Sequence, residues 1–79
     1  MAERTDTISP EVLGRLPTDP GVYIFRDRSG EVLYVGKAKS LRPRIRSYFR
    51  NEASHSIKTR EMVRRVGSLD TIVVGSEAE

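Results

Sequence analysis

The sequence contains no cysteine and only one histidine, His55. Without cysteine there is neither a disulfide nor a thiolate metal site, and one histidine cannot form the cluster that holds zinc. A structural metal is therefore not expected. No long apolar run follows the polar N-terminus, so neither a signal peptide nor a membrane-spanning helix is expected. The sequence predicts a cytoplasmic protein with no membrane partner.

Acidic residues are absent from Lys37 to Arg50, although the chain has 11 of them. This stretch holds six basic residues, while the rest of the chain has eight basic residues against 11 acidic ones. Exposed helix faces normally interleave both signs, so a run of one sign favours an anionic partner such as a nucleic acid. A solvated helix face is the alternative interpretation.

At 79 residues the chain can form one small domain. We expect a monomer with a flexible tail at residues 1–9 and a folded domain at 10–79. Apolar periodicity and turn residues predict an α+β fold, a small three-stranded antiparallel sheet flanked by helices. The predicted elements are a short helix beginning at Ser9-Pro10-Glu11, strands at 22–25, 32–35 and 69–74, and helices at about 40–49 and 57–66, with a further helix beginning at Ser76.

The first two strands form a β-hairpin in this interpretation, because Asp27-Arg28-Ser29-Gly30 has hairpin-turn chemistry. With an even number of loop residues, Tyr23 lies directly opposite Tyr34, and two opposed side chains share one face of the sheet. A three-residue loop with a bulge would shift the register by one residue and separate the two phenols. The predicted pairing of Tyr23 with Tyr34 therefore depends on the number of residues in the loop.

The helix at 40–49 distributes its arginines over two sides. Its apolar stripe consists of Leu41, Ile45, Tyr48 and Phe49. On the flank opposite this stripe lies a row formed by Arg42, Arg46 and Arg50. Arg44 lies instead beside Tyr48, four residues away along the helix.

These residue types suit cleavage of a phosphodiester. Arg44 has the planar fork that matches phosphate oxygens. A tyrosine could serve as base only if its pKa fell from about 10 to about 7, which requires roughly 4 kcal/mol of phenolate stabilisation. Lys37, just past Gly36, is placed to contribute part of it. In the alternative, each tyrosine is a half-buried packing residue with its hydroxyl towards solvent.

Several longer motifs resemble those of a known nuclease family. Gly21-Val22-Tyr23 and Tyr34-Val35-Gly36 resemble the two halves of the GIY-YIG nuclease signature, with valine in place of each isoleucine. The segments 16–23, 36–44, 46–49, 58–60 and 76–79 resemble the UvrC subgroup, whose N-terminal domain belongs to the incision subunit of bacterial nucleotide excision repair.

The resemblance implies a domain that hydrolyses DNA on the 3′ side of a lesion with one divalent cation, Mg²⁺ or Mn²⁺. Its partners would be damaged double-stranded DNA and UvrB, with UvrA acting upstream. The implied catalytic residues are Tyr23, Tyr34, Lys37, Arg44 and Tyr48, with Gly21 and Gly36 structural at the site. Phosphate contacts are predicted for Lys39, Arg42, Arg46 and Arg50.

One functional residue of the family has no counterpart in these motifs. By the family pattern the metal-binding glutamate falls a few residues beyond Glu79, and Glu77 and Glu79 match only the run that precedes it. Mg²⁺ takes few protein ligands, so loss of the carboxylate leaves little to hold the ion. We therefore expect these residues alone to bind no metal and to be catalytically inert. A DNA-binding or protein-docking module that uses the basic helix without cleaving is the alternative function.

Overall fold

The computed structural model describes residues 2–5, 8–50 and 55–74, which form an antiparallel sheet covered by helices. The three predicted strands and the α+β class are confirmed, and within the described residues a fourth strand joins the sheet in the order β1-β4-β2-β3. The predicted helix start at Ser76 lies outside the described residues. The strands are β1 (Ala2–Thr5), β2 (Gly21–Arg26), β3 (Val32–Ala38) and β4 (Ser68–Val73), and the helices are α1 (Pro10–Gly14), α2 (Leu41–Tyr48) and α3 (Ile57–Arg65).

The N-terminal segment differs from the predicted flexible tail at 1–9. Ala2–Thr5 pairs antiparallel with β4, from Ala2 opposite Ile72 to Thr5 opposite Leu69. The outer edge of β4 presents backbone N–H and C=O groups that any extended segment can satisfy, whatever its side chains. Because this segment is polar and shows no alternation of apolar and polar residues, the sequence did not predict a strand here.

The β2–β3 hairpin has a register two residues away from the predicted one. Tyr23 lies opposite Gly36 and Phe25 lies opposite Tyr34, with a bulge between Phe25 and Arg26. The prediction that Tyr23 directly opposes Tyr34 is therefore wrong. Because a shift of two residues preserves the alternation of side chains, the two phenols still share one face of the sheet.

The turn explains this register. Asp27 N donates to Glu31 O over 2.9 Å, which closes a five-residue loop where an even number was predicted. The Asp27 carboxylate accepts hydrogen bonds from the backbone N–H groups of Ser29 and Glu31, both at 2.9 Å. Gly30 has a φ of 96°, which glycine adopts without steric penalty. The odd loop and the bulge together shift the strands by an even number of residues.

Helix α2 begins where the loop before β2 covers its first turn. The backbone N–H groups of Leu41 and Arg42 donate to the carbonyls of Asp19 and Pro17 at 3.1 and 2.9 Å. Ser40 occupies the N-cap position as predicted, but its side chain makes no capping hydrogen bond. The loop carbonyls satisfy donors that a cap would otherwise serve.

The core lies between the helices and one face of the sheet. Tyr23, Phe25 and Leu69 supply the sheet side. Leu41 and Ile45 of α2 are fully buried against them, while Tyr48 and Phe49 are partly buried, which confirms the predicted apolar stripe. Leu13 and Leu16 complete the cluster from α1 and the loop that follows it.

Candidate active site

Three tyrosines meet at the boundary between the core and solvent. The ring centroids of Tyr23 and Tyr34 lie 6.1 Å apart, and Tyr48 lies 5.8 Å from Tyr23 and 6.1 Å from Tyr34. The hydroxyls of Tyr23 and Tyr48 are hydrogen-bonded at 3.0 Å. Phe25 supports the group from below, with its ring edge-on to Tyr48 at 5.1 Å. We call Tyr23, Tyr34 and Tyr48 the tyrosine cluster.

The members of the cluster differ in their access to solvent. Tyr23 is 2% exposed, and its ring is part of the hydrophobic core. Tyr34, on the edge strand β3, is 43% exposed. Tyr48 is half-buried between them. A reactant from solvent therefore meets Tyr34 and Tyr48 first, while Tyr23 is held as a hydrogen-bond partner behind them.

The two signature glycines make this arrangement possible by close approach. A Cβ at Gly36 would collide with Cζ and the hydroxyl of Tyr23, whose Cε1 would lie at 2.9 Å. A Cβ at Gly21 would collide with the carbonyl oxygen of Ile72 and lie 2.9 Å from Leu41 Cδ1. Gly36 thus leaves room for the Tyr23 ring, and Gly21 lets α2 and β4 pack against the start of β2.

The environment of the cluster favours neutral phenols. Interaction with the Tyr48 hydroxyl raises the pKa of Tyr34, and burial raises the pKa of Tyr48, to which the hydrogen bond with Tyr23 adds. The positive charge of Arg44 acts in the opposite direction on the pKa of both phenols, but it is outweighed. Near neutral pH these hydroxyls therefore donate and accept hydrogen bonds as uncharged groups.

Arg44 and Lys37 line one open groove whose lining includes no member of the tyrosine cluster. The groove is lined by residues of β2, β3 and α2 and of the segments that flank the strands, including Gly21, Lys37, Lys39, Arg44, Ser47 and Val74. Strand alternation points Lys37 away from the face that carries Tyr34 and Gly36. Arg44 is the cation whose charge acts on the phenols, a role that the sequence analysis gave to Lys37.

The residues predicted to contact DNA phosphates do not share one environment. Lys39 and Arg50 are exposed, and Arg46 is half-buried. The Nε of Arg42 donates to the Leu16 carbonyl over 2.7 Å. Because this bond ties α2 to the segment that follows α1, Arg42 has a structural role that the helical pattern did not indicate.

Metal-ligating side chains do not cluster within the described residues. Within 8–50 and 55–74, no three His, Cys, Asp or Glu side chains lie together in a way that could hold a metal ion. The charged group that acts on the tyrosine cluster is the cation Arg44, whereas Mg²⁺ is bound through one or two carboxylates and several waters. Glu77 and Glu79 lie outside the described residues. In the same described part of the chain, no helix is long and apolar enough to cross a membrane.

His55 also lies beside the cluster, a position that the sequence did not predict. Its Nε2 lies 2.9 Å from the Ser47 carbonyl oxygen, and its ring centroid lies 6.3 Å from that of Tyr48. No local pattern could have indicated this contact, because only the tertiary structure brings residues 47 and 55 together.

Comparison with known proteins supports the same interpretation of the fold. Residues 19–79 match the model of the UvrC-like GIY-YIG domain. UvrABC system protein C from Gemmatimonas aurantiaca is 61% identical over 66 residues, covering 84% of this chain and 11% of that protein. The protein of the same name from Chlorobium luteolum is 45% identical over an 82-residue alignment, covering 100% of this chain and 13% of that protein. The chain thus spans only about a tenth of these relatives.

A solved structure shows the same similarity in three dimensions. The GIY-YIG N-terminal endonuclease domain of UvrC from Thermotoga maritima, bound to magnesium as its catalytic divalent cation, superposes with a TM-score of 0.71 at 34% sequence identity. The alignment covers 89% of this chain and 78% of that one.

Proposed function

The chain belongs to the UvrC-like GIY-YIG domain family, and from this membership we propose that it is the endonuclease domain of a bacterial nucleotide excision repair incision subunit. In this proposal it hydrolyses a DNA phosphodiester on the 3′ side of a lesion. The observation that carries the proposal is the tyrosine cluster, with its 3.0 Å hydroxyl hydrogen bond between Tyr23 and Tyr48, next to the exposed guanidinium of Arg44.

Arg44 would bind the scissile phosphate. Its guanidinium offers paired donors to phosphate oxygens and neutralises charge that develops as the phosphorus is attacked. Lys37, on the same groove, would add a second positive charge. Both side chains are exposed, so a phosphate can reach them without a change in the fold.

The phenols would orient the attacking water. A phenolate base requires a lowered pKa, whereas the pKa values of Tyr34 and Tyr48 are raised. Neutral hydroxyls still fix the position of a water molecule through hydrogen bonds, which lowers the entropic part of the barrier. Tyr34 is the phenol with the greatest access to such a water, and Tyr23 supports Tyr48 from behind.

For the cofactor we propose Mg²⁺ or Mn²⁺, since the related domain from Thermotoga maritima binds magnesium. Such an ion would supply further neutralisation of charge on the phosphate. Because the described residues offer no suitable ligand set, we propose that these residues alone bind no such ion and do not cut DNA. The ligand would come from outside the described residues.

The proposed partners are damaged duplex DNA and UvrB, with UvrA acting upstream. The groove cations and the α2 arginines hold phosphates, but no described feature suggests readout of bases. Lesion recognition is therefore assigned to the partner proteins, and we expect weak binding of DNA by this domain alone. In this proposal the domain is monomeric and acts in the cytoplasm.

The test is a chimera in which this chain replaces the matching segment of the Gemmatimonas aurantiaca relative. With UvrA, UvrB and Mg²⁺ present, the chimera is expected to incise lesion-bearing duplex DNA 3′ of the lesion. Arg44→Ala should reduce the incision rate by roughly 10²-fold or more, while Arg65→Ala, at an exposed arginine of α3 outside the basic stretch, serves as a charge-matched control with a small effect. A folded chimera that binds DNA without incising it would contradict the proposal, and nicking by the isolated chain would contradict the part that concerns the metal.

The second candidate is a module that binds DNA or docks to a protein without cleaving it, through the basic helix at 40–50. It is favoured by one observation, the lack of a carboxylate cluster among the described residues. Lys37→Ala separates the two candidates. In a binding module the substitution only weakens affinity and reduces the salt slope by about one unit, whereas in a nuclease the rate falls much further than the affinity.

A further inference from the structure

His55 connects the segment before α3 to the C-terminal end of α2, one residue from the tyrosine cluster. Its Nε2 is 2.9 Å from the Ser47 carbonyl oxygen. A carbonyl only accepts, so Nε2 carries the proton and donates. Carbonyls in the last turn of a helix have no intrahelical partner, and this bond therefore satisfies a group that the helix itself leaves open.

The same ring contacts Tyr48 directly. The centroids of His55 and Tyr48 are 6.3 Å apart with the rings tilted by 49°. The Nδ1 atom of His55 is buried and has no hydrogen-bond partner among residues 8–50 and 55–74. Within the described residues the imidazole is thus oriented by one hydrogen bond, through Nε2, and by packing against Tyr48.

Four described side chains surround Tyr48. Phe25 meets it edge-on at 5.1 Å, Tyr23 binds its hydroxyl at 3.0 Å, and the rings of Tyr34 and His55 lie 6.1 and 6.3 Å from its ring. The first three belong to the sheet, whereas His55 ties the Tyr48 ring to the segment that leads into α3. α3 has no buried residue of its own, so this contact is also one of the ways in which that segment is attached.

We propose that His55 is a positioning residue that holds the Tyr48 ring against the sheet, so that the Tyr23–Tyr48 hydroxyl hydrogen bond exists before DNA binds. Its consequence for catalysis rests on the proposed function. The positioning itself does not, because it is a property of the tyrosine cluster in the free chain and can be measured without any nuclease activity.

The experiment uses the chain itself, labelled with ¹³C at Cζ of tyrosine. Its three tyrosines give three resonances, each assigned with a Tyr→Phe variant, and the lack of tryptophan leaves their ultraviolet titration unobscured. Burial raises the pKa of Tyr48, and removal of the imidazole admits water to the phenol. His55→Ala is expected to lower the titration midpoint of Tyr48 by about half a pH unit or more, with a smaller change at Tyr34.

Two matched variants separate positioning from general packing. The amide nitrogen of His55→Gln reaches the place of Nε2 and can donate to the Ser47 carbonyl. The amide nitrogen of His55→Asn reaches instead the place of Nδ1, for which the described residues offer no partner. His55→Gln is expected to restore most of the wild-type midpoint and His55→Asn to behave like His55→Ala. Equal effects of the two amides, or an unchanged Tyr48 resonance in His55→Ala, would overturn the proposal.

A measurement on the wild-type chain covers the case in which the variants do not fold. The ¹⁵N shifts of His55 are expected to show the proton on Nε2, and transfer across the hydrogen bond should connect this nitrogen to the Ser47 carbonyl. A proton on Nδ1 in the neutral ring would overturn the proposal. None of these results depends on incision, so a failure of the proposed function is distinguished from a failure of the positioning role.

Discussion

Gly36→Ala is expected to disrupt the tyrosine cluster through one added methyl group. The new Cβ would overlap Cζ and the hydroxyl of the Tyr23 ring and lie 2.9 Å from its Cε1. Tyr23 has little room to move, because its ring packs against Phe25 at 5.4 Å and its hydroxyl is held by Tyr48 at 3.0 Å. The substitution should therefore displace the ring and break this hydrogen bond.

The magnitude follows from three contributions to the free energy of unfolding. Overpacking a buried site costs about 1–3 kcal/mol, and loss of one hydrogen bond costs about 1 kcal/mol. Alanine lowers the conformational entropy of the unfolded chain relative to glycine, which offsets about 0.4–1 kcal/mol of this loss of stability. The net expectation is a loss of about 2 kcal/mol, which for a domain of this size lowers Tm by roughly 10 °C.

Urea and thermal unfolding, followed by circular dichroism, measure this loss, and the ¹³C resonance of Tyr23 reports the displacement. Gly14→Ala is the matched control, because a Cβ there meets no heavy atom within 4 Å. Its effect should stay within about 0.5 kcal/mol or be stabilising. If Gly36→Ala were as stable as the wild type and left the Tyr23 and Tyr48 resonances unchanged, the close-packing explanation of Gly36 would be refuted.

Two further predictions concern the hairpin turn and the first turn of α2. Hydrogen bonds from Ser29 and the backbone of Glu31 hold the pKa of Asp27 below its ordinary value of 3.8. A carboxyl group whose pKa is lowered by folding stabilises the fold at pH values above its unfolded-state pKa. This stabilisation is lost as the pH falls through its folded-state pKa. The stability difference between the wild type and Asp27→Asn should therefore be full at pH 6 and shrink below pH 3.8, and a difference independent of pH would contradict this. Arg42→Ala should lower the free energy of unfolding by about 1 kcal/mol and should also lower the affinity for DNA. Arg46→Ala should lower only the affinity for DNA. Equal stability of the two variants would contradict the structural role of Arg42.

The pattern of residues predicted most of the fold because its signals are local. Proline after Ser9, β-branched and aromatic runs on both sides of a turn, and an apolar row from Leu41 to Phe49 each express a backbone preference or a periodicity within a few residues. Such local preferences predict the same helix or strand in any tertiary structure that buries one face of that element. They gave the order of helices and strands for the described residues, but not the strand formed by Ala2–Thr5, whose pairing depends on an open edge of β4.

The candidate site was predictable as a set of residue types and less so as a geometry. The shared face of Tyr23 and Tyr34 was predicted correctly although the register was wrong, because a shift by two residues keeps the alternation. The sequence indicated only one of the two separate roles of Arg42 and Arg44. Helical spacing placed Arg44 beside Tyr48, but nothing in the spacing indicated that Arg42 would bind the Leu16 carbonyl.

Signature residues, turn chemistry and charge distribution are local properties of the chain, and from them the family, the elements and the chemistry available at the groove can be predicted. The tertiary structure was needed to show which phenol is buried, which cation acts on the phenols, and that His55 lies against Tyr48. Each of these is set by strand register and by the packing of helices and loops onto one core. Helical spacing places Arg44 beside Tyr48, but spacing within one element does not indicate burial or contacts with residues of other elements.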